Sequence, residues 1–240
     1  MSAGPQPAAA PASPLTGQVA LVAGASRGIG LAVADALFDA GAHVVRMART
    51  LTDRTIDRRM DLRCDLTDPA AMESAVRRLA ASDILPDILV HSAGVFFLKP
   101  LETTSAAEFA QAIATNLTGP FLLTRLLLPQ LKRRGRGHVV TIGSIADHAA
   151  FPGNAAYGAS KFGLRGLHEV LAAELAGTGV RTTLISPGPT DTAMWDAVNP
   201  DAQPGFTKRK DMLRAEDVAA AVLFAVRQPG VTEIRLMPGR

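Results

Sequence analysis

Tyr157 and Lys161 are the residues of this chain whose types and spacing best suit them to chemistry. Side chains four residues apart lie on the same face of a helix. An ammonium beside a phenol favours the phenolate and lowers the tyrosine pKa from its ordinary value of about 10. The pair is therefore expected to serve as a general acid/base, although this spacing also occurs by chance on many helix surfaces.

A glycine-rich turn, Gly24-Ala25-Ser26-Arg27-Gly28-Ile29-Gly30, follows the first apolar run of the chain. Glycines let the backbone approach a phosphate, and the helix N-terminus that follows offers free N–H groups and the positive end of a dipole. The spacing G-x-x-x-G-x-G differs from the common G-x-G-x-x-G dinucleotide fingerprint. We expect a nucleotide site here; the alternative is a tight strand-to-helix turn without a ligand.

The elements that must position these residues alternate along the chain. Apolar runs predict strands at 19–23, 44–47, 88–91, 139–142, 182–185 and 233–236, and one more short strand that ends near Cys64. Helices are expected at 29–39, 69–81, 105–133, 155–175 and 216–227, the third with a kink at Gly119-Pro120. This alternation predicts a single α/β domain over residues 15–240: a doubly wound, seven-stranded parallel sheet with helices on both faces. Ligands of such sheets bind beyond the carboxyl ends of the strands.

Composition excludes several classes of protein. A chain of 240 residues that is 48% hydrophobic can bury a full core, and a net charge of +3 is too small to indicate nucleic acid. The lone Cys64 allows no internal disulfide and fits a reducing, cytoplasmic location. No apolar run reaches the ~18 residues of a membrane span, and no acidic or histidine cluster has metal-ligand spacing. Residues 1–14, rich in Ala and Pro, are expected to be a disordered tail.

Taken together, the motifs resemble those of the short-chain dehydrogenase/reductase family. The glycine turn, Asn116, Ser144, the Tyr157/Lys161 pair and Pro187-Gly188 fall in that family's order and spacing, and the resemblance covers residues 15–240. It implies a Rossmann fold that binds NAD(H) or NADP(H) and moves hydride between nicotinamide and a carbonyl or alcohol carbon.

The resemblance also implies roles for individual residues. Tyr157 is expected to be the general acid/base, and Lys161 to hold the nicotinamide ribose and lower the tyrosine pKa. Ser144 is expected to hydrogen-bond the substrate oxygen. Asn116 is expected to hold a water that connects Lys161 to solvent. Two donors aimed at the oxygen that gains negative charge during hydride transfer would stabilise that charge.

Further cofactor contacts follow from the same resemblance. Asp65 is expected at the adenine amino group, with helix capping as the alternative, and Thr190 and Thr192 near the carboxamide, with local turn bonding as the alternative. Ala23 and Ser92 stand where the family usually has Thr and Asn. The expected cofactor contacts are Gly24, Ser26, Arg27, Gly28, Ile29, Gly30, Arg49, Asp65, Leu66, Ser92, Ala93, Gly94, Tyr157, Lys161, Pro187, Gly188, Thr190 and Thr192.

Two arginines favour NADP(H) as the cofactor. In this fold an acid at the end of the second strand selects NAD, whereas an arginine accommodates a 2′-phosphate. Ala48 stands at the acid position, Arg49 follows it, and Arg27 lies inside the glycine turn. The alternative is that Arg49 is merely solvated.

The expected substrate is a small carbonyl or alcohol compound. The pocket residues Phe97, Ile145, Phe151, Pro189 and Trp195 are apolar, which favours neutral, partly hydrophobic ketones or aldehydes. A 3-oxoacyl-(acyl-carrier-protein) reductase and a hydroxy-acid or sugar-alcohol dehydrogenase remain alternatives. From other classes, a non-catalytic NADP-binding regulator and a sugar-nucleotide epimerase or dehydratase stay open. The long leucine-rich helices favour a homodimer or homotetramer.

Overall fold

The structure of the protein, a computed structural model, describes residues 13–239. Its strands are β1 (Val19–Ala23), β2 (His43–Ala48), β3 (Arg54–Ile56), β4 (Arg59–Arg63), β5 (Ile88–His91), β6 (Gly137–Ile142), β7 (Val180–Pro187) and β8 (Glu233–Leu236). Its helices are α1 (Gly28–Asp39), α2 (Pro69–Ala81), α3 (Ala106–Ile113), α4 (Gly119–Arg134), α5 (Ala155–Leu175) and α6 (Ala215–Arg227).

The strands form one sheet in the order β3-β4-β2-β1-β5-β6-β7-β8, and every neighbouring pair is parallel except β3 and β4. The chain order reverses between β1 and β5, which is where open α/β sheets bind ligands. The predicted α/β fold is therefore confirmed, but the predicted strand count of seven is wrong. The strand that the sequence did not predict is β3, a fully exposed three-residue edge strand that no apolar run marks.

Each face of the sheet is buried by helices, and β1 shows how the sequence achieves this. Alternate side chains of a strand point to opposite faces. Ala20 and Val22 belong to the core packed by α1 and α6, whereas Leu21 and Ala23 belong to the core packed by α2, α4 and α5. Burial on both faces explains why the strands read as continuous apolar runs rather than as alternating ones.

The long third helix of the prediction is interrupted one turn earlier than expected. A five-residue π-helical turn, Ala114–Thr118, joins α3 to α4, and its Gly119 N–H donates to the Ala114 carbonyl. Pro120 has no N–H to donate to the carbonyl of Asn116, four residues before it, so regular α-helical bonding stops there. The predicted irregularity near Gly119-Pro120 is thus a π-helical turn that ends directly before these two residues.

The ordered domain begins before Leu15. Leu15 is buried and its N–H donates to the Ala40 carbonyl at 2.9 Å, while the Ser13 carbonyl accepts from Thr16 N at 3.0 Å. Residues 1–12 of the predicted tail lie outside the described residues. Within residues 13–239, no helix is long and apolar enough to cross a membrane.

Candidate active site

A cleft of about 750 Å³ runs along the carboxyl ends of the parallel strands, where the fold predicts a ligand. All predicted site residues line this cleft except Asn116. Two regions differ in character. The glycine-turn end is formed by Gly24, residues 26–30, Arg49 and Asp65, and the aromatic end by Phe96, Phe97, Phe151, Tyr157 and Trp195.

The glycines of the turn allow three backbone segments to meet. A Cβ at Gly24, whose φ is +85°, would lie 2.4 Å from the main-chain nitrogen of Ala93 in the loop after β5. A Cβ at Gly30 would lie 2.3 Å from the Gly24 carbonyl oxygen, so only glycine lets α1 start so close to β1. These contacts explain two of the three glycines of G-x-x-x-G-x-G. Gly28, with φ of +57°, faces Thr192.

The glycine-turn end fits a nucleotide phosphate. Arg27, the residue at the N-cap of α1, makes no side-chain capping bond, and Gly28, Ile29 and Gly30 line the cleft. The first N–H groups of α1 are thus available to an anion, which the helix dipole also favours. Beside them, the buried Ser92 hydroxyl lines the cleft and has no hydrogen-bond partner within the described residues.

The outer part of this end carries the two predicted arginines. Arg27 and Arg49 are both exposed and both line the cleft, and Ala48 precedes Arg49 at the end of β2. Asp65 also lines the cleft. Its carboxylate accepts bonds from the main chain and hydroxyl of Thr67, which hold the Asp65 pKa below its usual range with a smaller contribution from Arg49. The cap of α2 is Asp68 instead, which accepts from Ala70 N and Ala71 N.

Thr190 and Thr192 are both occupied by local bonds. Thr190 Oγ1 donates to the Gly188 carbonyl at 3.0 Å, and Thr192 Oγ1 accepts from Met194 N at 3.4 Å. Both residues still line the cleft after β7. The alternative of local turn bonding therefore describes their contacts in the structure.

Ser144, Tyr157 and Lys161 meet where β6 ends and α5 begins. Lys161 Nζ donates to the Ile142 carbonyl at 2.9 Å and lies 5.6 Å from the centre of the Tyr157 ring. Burial raises the pKa of Tyr157 to about 12, against the effect of a hydrogen bond with Ser144 and with a further rise from the Asp147 charge. Burial also lowers the pKa of Lys161 to about 8. Lys161 is not among the groups that shift the Tyr157 pKa in this structure, and burial sets the direction of that shift.

Asn116 is fully buried in the π-helical turn and bridges two walls of the cleft. Its Oδ1 accepts from Val95 N at 2.8 Å, and its Nδ2 donates to the Val95 carbonyl and to Ser160 Oγ, both at 2.9 Å. Ser160 Oγ in turn donates to the Tyr157 carbonyl at 2.7 Å. The side chain of Asn116 thus fixes the loop after β5 to the helix that carries Tyr157.

The aromatic end is held together by edge-to-face ring contacts. The ring centre of Phe96 lies 4.9 Å from that of Tyr157 and 5.2 Å from that of Trp195, with interplanar angles of 79° and 60°. Trp195 also contacts Phe206, with ring centres 6.3 Å apart. Phe96, the neighbour of the predicted pocket residue Phe97, thus contacts the tyrosine directly.

Lys99, Lys208 and Arg209 are each bonded to other groups of the protein. Lys99 pairs with Glu108. Arg209 binds Asp191 and Asp196 at 2.7 and 2.5 Å, and Lys208 donates to main-chain carbonyls of residues 200, 201 and 203. Neither lysine nor Arg209 lines the cleft. Lys208 and Arg209 instead hold together the segment between β7 and α6.

Sequence reasoning missed Asp147, a fully buried carboxylate three residues after Ser144. Its Oδ2 accepts from the Ser144 N–H at 3.1 Å. A Ser-x-x-Asp spacing at a strand end is the signature of a capping box and was the available signal. Among residues 13–239, no three His, Cys, Asp or Glu side chains are grouped to hold a metal ion.

Three curated relatives resemble this chain in sequence. D-threitol dehydrogenase of Mycolicibacterium smegmatis is 36% identical over 225 residues, 88% of this chain and 86% of that protein. The 3-oxoacyl-(acyl-carrier-protein) reductase FabG of Escherichia coli K12 is 33% identical over 217 residues, 87% and 89% of the two chains. Glycine betaine reductase of Emericella nidulans is 36% identical over 95% of this chain, but the chain spans only 19% of that longer protein.

A solved structure and a family model agree with these relatives. The crystal structure of a metagenomic short-chain oxidoreductase in complex with NADP superposes with a TM-score of 0.78 at 31% identity, covering 95% of this chain and all of the other. The model of the short chain dehydrogenase family matches residues 18–203. The chain belongs to this family: it is a Rossmann-fold oxidoreductase of the short-chain dehydrogenase type, whose members use nicotinamide cofactors.

Proposed function

We propose that the protein is an NADPH-dependent carbonyl reductase, or the corresponding alcohol dehydrogenase, acting on neutral and partly hydrophobic ketones or aldehydes. The observation that carries the proposal is the separation of charge along the cleft. Arg27 and Arg49 line the glycine-turn end. Among the described residues that line the rest of the cleft, Lys161 is the only cation, and its ammonium is bonded to the Ile142 carbonyl. A phosphate suits the first end and an apolar group the second.

The chain's own residues supply the proton chemistry. Bound nicotinamide would supply or accept the hydride. Tyr157, with a pKa of about 12, is protonated at neutral pH, which is the form that a general acid needs. The Ser144 Oγ accepts from Ala146 N at 3.1 Å, so its own proton can be directed at the substrate oxygen. Two donors on that oxygen stabilise the charge that develops there as hydride arrives.

Lys161 and Asn116 would complete the site. Lys161 is buried and lines the cleft beside Tyr157, where its ammonium would hold the nicotinamide ribose. The Asn116 carbonyl lacks an α-helical donor because residue 120 is proline, so it is available to a water. That water would return protons from solvent to Tyr157 through Lys161. The buried position of Asn116 and its bonds to Val95 and Ser160 support a fixed geometry for this relay.

NADPH is proposed over NADH because of the residues at the end of β2. Because position 48 is alanine, no carboxylate is present there to bind the ribose hydroxyls of NADH or to repel the 2′-phosphate of NADPH. The exposed guanidiniums of Arg49 and Arg27 would clamp the 2′-phosphate with charge-assisted hydrogen bonds. The NADP complex of the metagenomic relative supports the same choice.

A substrate panel followed at the NADPH absorbance band tests this proposal. The panel contains neutral aromatic and aliphatic ketones and aldehydes, threitol, small 3-oxo acids and a 3-oxoacyl thioester, each assayed with both cofactors. We expect neutral ketones and NADPH to give the highest kcat/KM. A small 3-oxo acid that exceeds every neutral ketone more than tenfold, or equal kcat/KM with the two cofactors, would contradict it. Cofactor binding without turnover of any compound would favour the non-catalytic regulator.

We also propose that the chain assembles as a homodimer or homotetramer. Phe109, Phe121 and Phe162, on α3, α4 and α5, are each more than two-fifths exposed. Exposed aromatic side chains on neighbouring helices suit burial across a two-fold axis. Light scattering at micromolar concentration should give at least twice the monomer mass, and a monomeric mass would overturn this part of the proposal.

A further inference from the structure

Asp147 makes four hydrogen bonds with both of its oxygens and is shielded from solvent. Oδ2 accepts from Ser144 N at 3.1 Å and from Ser186 Oγ of β7 at 2.6 Å. Oδ1 accepts from His148 Nδ1 at 2.6 Å and from Arg165 Nε of α5 at 3.2 Å. The carboxylate therefore ties the end of β6 to β7 and to α5. These are the elements that carry Ser144 and Tyr157.

The carboxylate of Asp147 lies so close to Gly143 that no side chain fits at that position. A Cβ at Gly143 would lie 2.3 Å from Asp147 Oδ2 and 3.1 Å from Ser186 Oγ, so the residue before Ser144 has to lack a side chain. Burial alone would raise the Asp147 pKa, but the bonds from Ser186, His148 and Ser144 and the Arg165 charge hold it below its usual range. Asp147 is thus a buried anion at neutral pH.

We propose that Asp147 is a positioning residue of this enzyme: its carboxylate fixes the main chain of Ser144 against β7 and, with Arg165 as counter-ion, places a fixed negative charge beside the Ser144/Tyr157 pair. Asp147 does not line the cleft, so it acts through Ser144 and through its electric field. The inference rests on the proposed function insofar as Ser144 and Tyr157 serve the reaction.

The field at Tyr157 is the sum of several charges. Asp147 raises the pKa of Tyr157, because a negative charge opposes formation of the phenolate, and it opposes the burial effect on Lys161. Arg165 offsets this charge and is itself held by carboxylates of α5 and β8. The charged and titratable groups around Asp147 are Lys161 and Arg165 of α5, His148 of its own turn and, through Arg165, Glu169 of α5 and Glu233 of β8.

Tyr157 is the only tyrosine in the chain, so its ionisation can be read directly. Absorbance of tyrosinate near 295 nm during a pH titration reports this one side chain and needs neither cofactor nor substrate. Circular dichroism recorded in parallel limits the analysis to folded protein. In Asp147→Asn, which keeps the shape and removes the charge, we expect the titration midpoint to fall by about half a pH unit or more.

Two controls separate the charge of Asp147 from other effects. Glu169→Gln neutralises a carboxylate on the same arginine, but at a side chain that is 64% exposed, so solvent should screen it and the midpoint should stay where it is. Ser186→Ala removes one hydrogen bond of Asp147 and keeps its charge, so its midpoint should move less than that of Asp147→Asn.

Arg165→Gln provides a second, opposite test. Loss of the counter-ion leaves the Asp147 charge uncompensated, so the basic limb of the kcat profile for carbonyl reduction should move to higher pH, whereas Asp147→Asn should move it to lower pH. If Asp147→Asn does not fold, the direction of the Arg165→Gln shift decides.

The outcomes are distinguishable. An unchanged midpoint in folded Asp147→Asn, an equal shift in Glu169→Gln, or an unmoved limb in Arg165→Gln would overturn the inference. If the wild-type protein reduces no carbonyl, the proposed function fails, yet the absorbance titration still measures the effect of Asp147 on Tyr157.

Discussion

The glycine-turn end of the cleft is shaped by the backbone, whereas the aromatic end is shaped by side chains. At the first, a Cβ on Gly24 or Gly30 would collide with main-chain atoms 2.4 and 2.3 Å away. At the second, Phe96 joins Tyr157 and Trp195 through ring contacts of 4.9 and 5.2 Å. The glycine turn itself is contiguous in sequence, whereas the aromatic end gathers residues from the segments that follow β5, β6 and β7.

This difference predicts how each end responds to change. Backbone contacts allow one geometry, so the glycine-turn end should tolerate few substitutions and bind one class of ligand. Ring contacts between side chains can be rearranged, and each apolar group is worth only about 1–3 kcal/mol of discrimination between substrates. The aromatic end should therefore change its substrate preference readily while the cofactor site stays intact.

Acid should break both ends at once by unfolding the sheet that carries them. His91, His138 and His168 are buried, each is bonded to a threonine hydroxyl, and burial lowers their pKa values to about 3, 3 and 4. The ordinary pKa of histidine is about 6.5, so between pH 6.5 and these lowered pKa values the unfolded chain binds more protons than the folded protein. The free energy of unfolding therefore has its full value above pH 6.5. Below pH 6.5 it falls by about 1.4 kcal/mol per pH unit for each of these histidines.

Urea unfolding between pH 7.5 and 4.5 measures this loss. A proton on Nδ1 of His138 finds no hydrogen-bond acceptor within residues 13–239, so protonation of this histidine opposes folding. His138→Asn should therefore make the free energy of unfolding depend less steeply on pH. Carboxylates with lowered pKa values, such as Glu233 at about 2, lose their contribution only in stronger acid. A free energy of unfolding that is constant down to pH 5 would contradict the prediction.

Replacing Tyr157 by Phe should break the chemistry of the aromatic end alone. The substitution removes the proton donor but keeps the ring that packs on Phe96. We expect kcat to fall by at least about 10²-fold, which is the usual contribution of general acid/base catalysis. The Kd for NADPH, measured by fluorescence titration, should change little. Near-normal turnover at saturating substrate would remove Tyr157 from the proposed role.

The same contrast explains what the sequence alone could reveal. Strand ends and the glycine turn were predictable because apolar runs and glycine spacing are local signals. Edge strand β3 was not, since its residues Arg54–Ile56 are exposed and carry no apolar pattern. The high pKa of Tyr157 was missed because it depends on burial by distant segments. Asp147 had a local signal in its spacing from Ser144, but its burial and its bond to Arg165 are tertiary.

Replacing Ala48 by Asp together with Arg49 by Leu should alter the glycine-turn end alone. The new carboxylate repels the 2′-phosphate and the lost guanidinium removes a charge-assisted bond, which is worth about 2 kcal/mol or roughly 30-fold in NADPH affinity. NADH affinity should rise, while the relative kcat/KM values of different ketones should stay in the same order. An unchanged NADPH/NADH ratio would show that Arg49 is only solvated.

Replacing Trp195 by Ala should have the smallest effect of these changes and should alter the aromatic end alone. The indole touches Phe96 and Phe206, so its loss opens the aromatic end without touching the glycine turn. We expect kcat/KM for bulky neutral ketones to change by about tenfold at most. A small ketone that does not reach the indole should be affected least, and NADPH binding should be unchanged.

Trp195→Phe is the matched variant, because it keeps an aromatic ring at this position and should retain most of the preference for bulky ketones. Values of kcat/KM for ketones of different size, measured for both variants, show whether the preference depends on an aromatic ring at position 195 or on the full size of the indole. Equal losses for all ketones, together with weaker NADPH binding, would mean that Trp195 supports the whole cleft. In that case the two ends would be coupled through the segment that carries Thr192, whose side chain reaches Gly28 of the glycine turn.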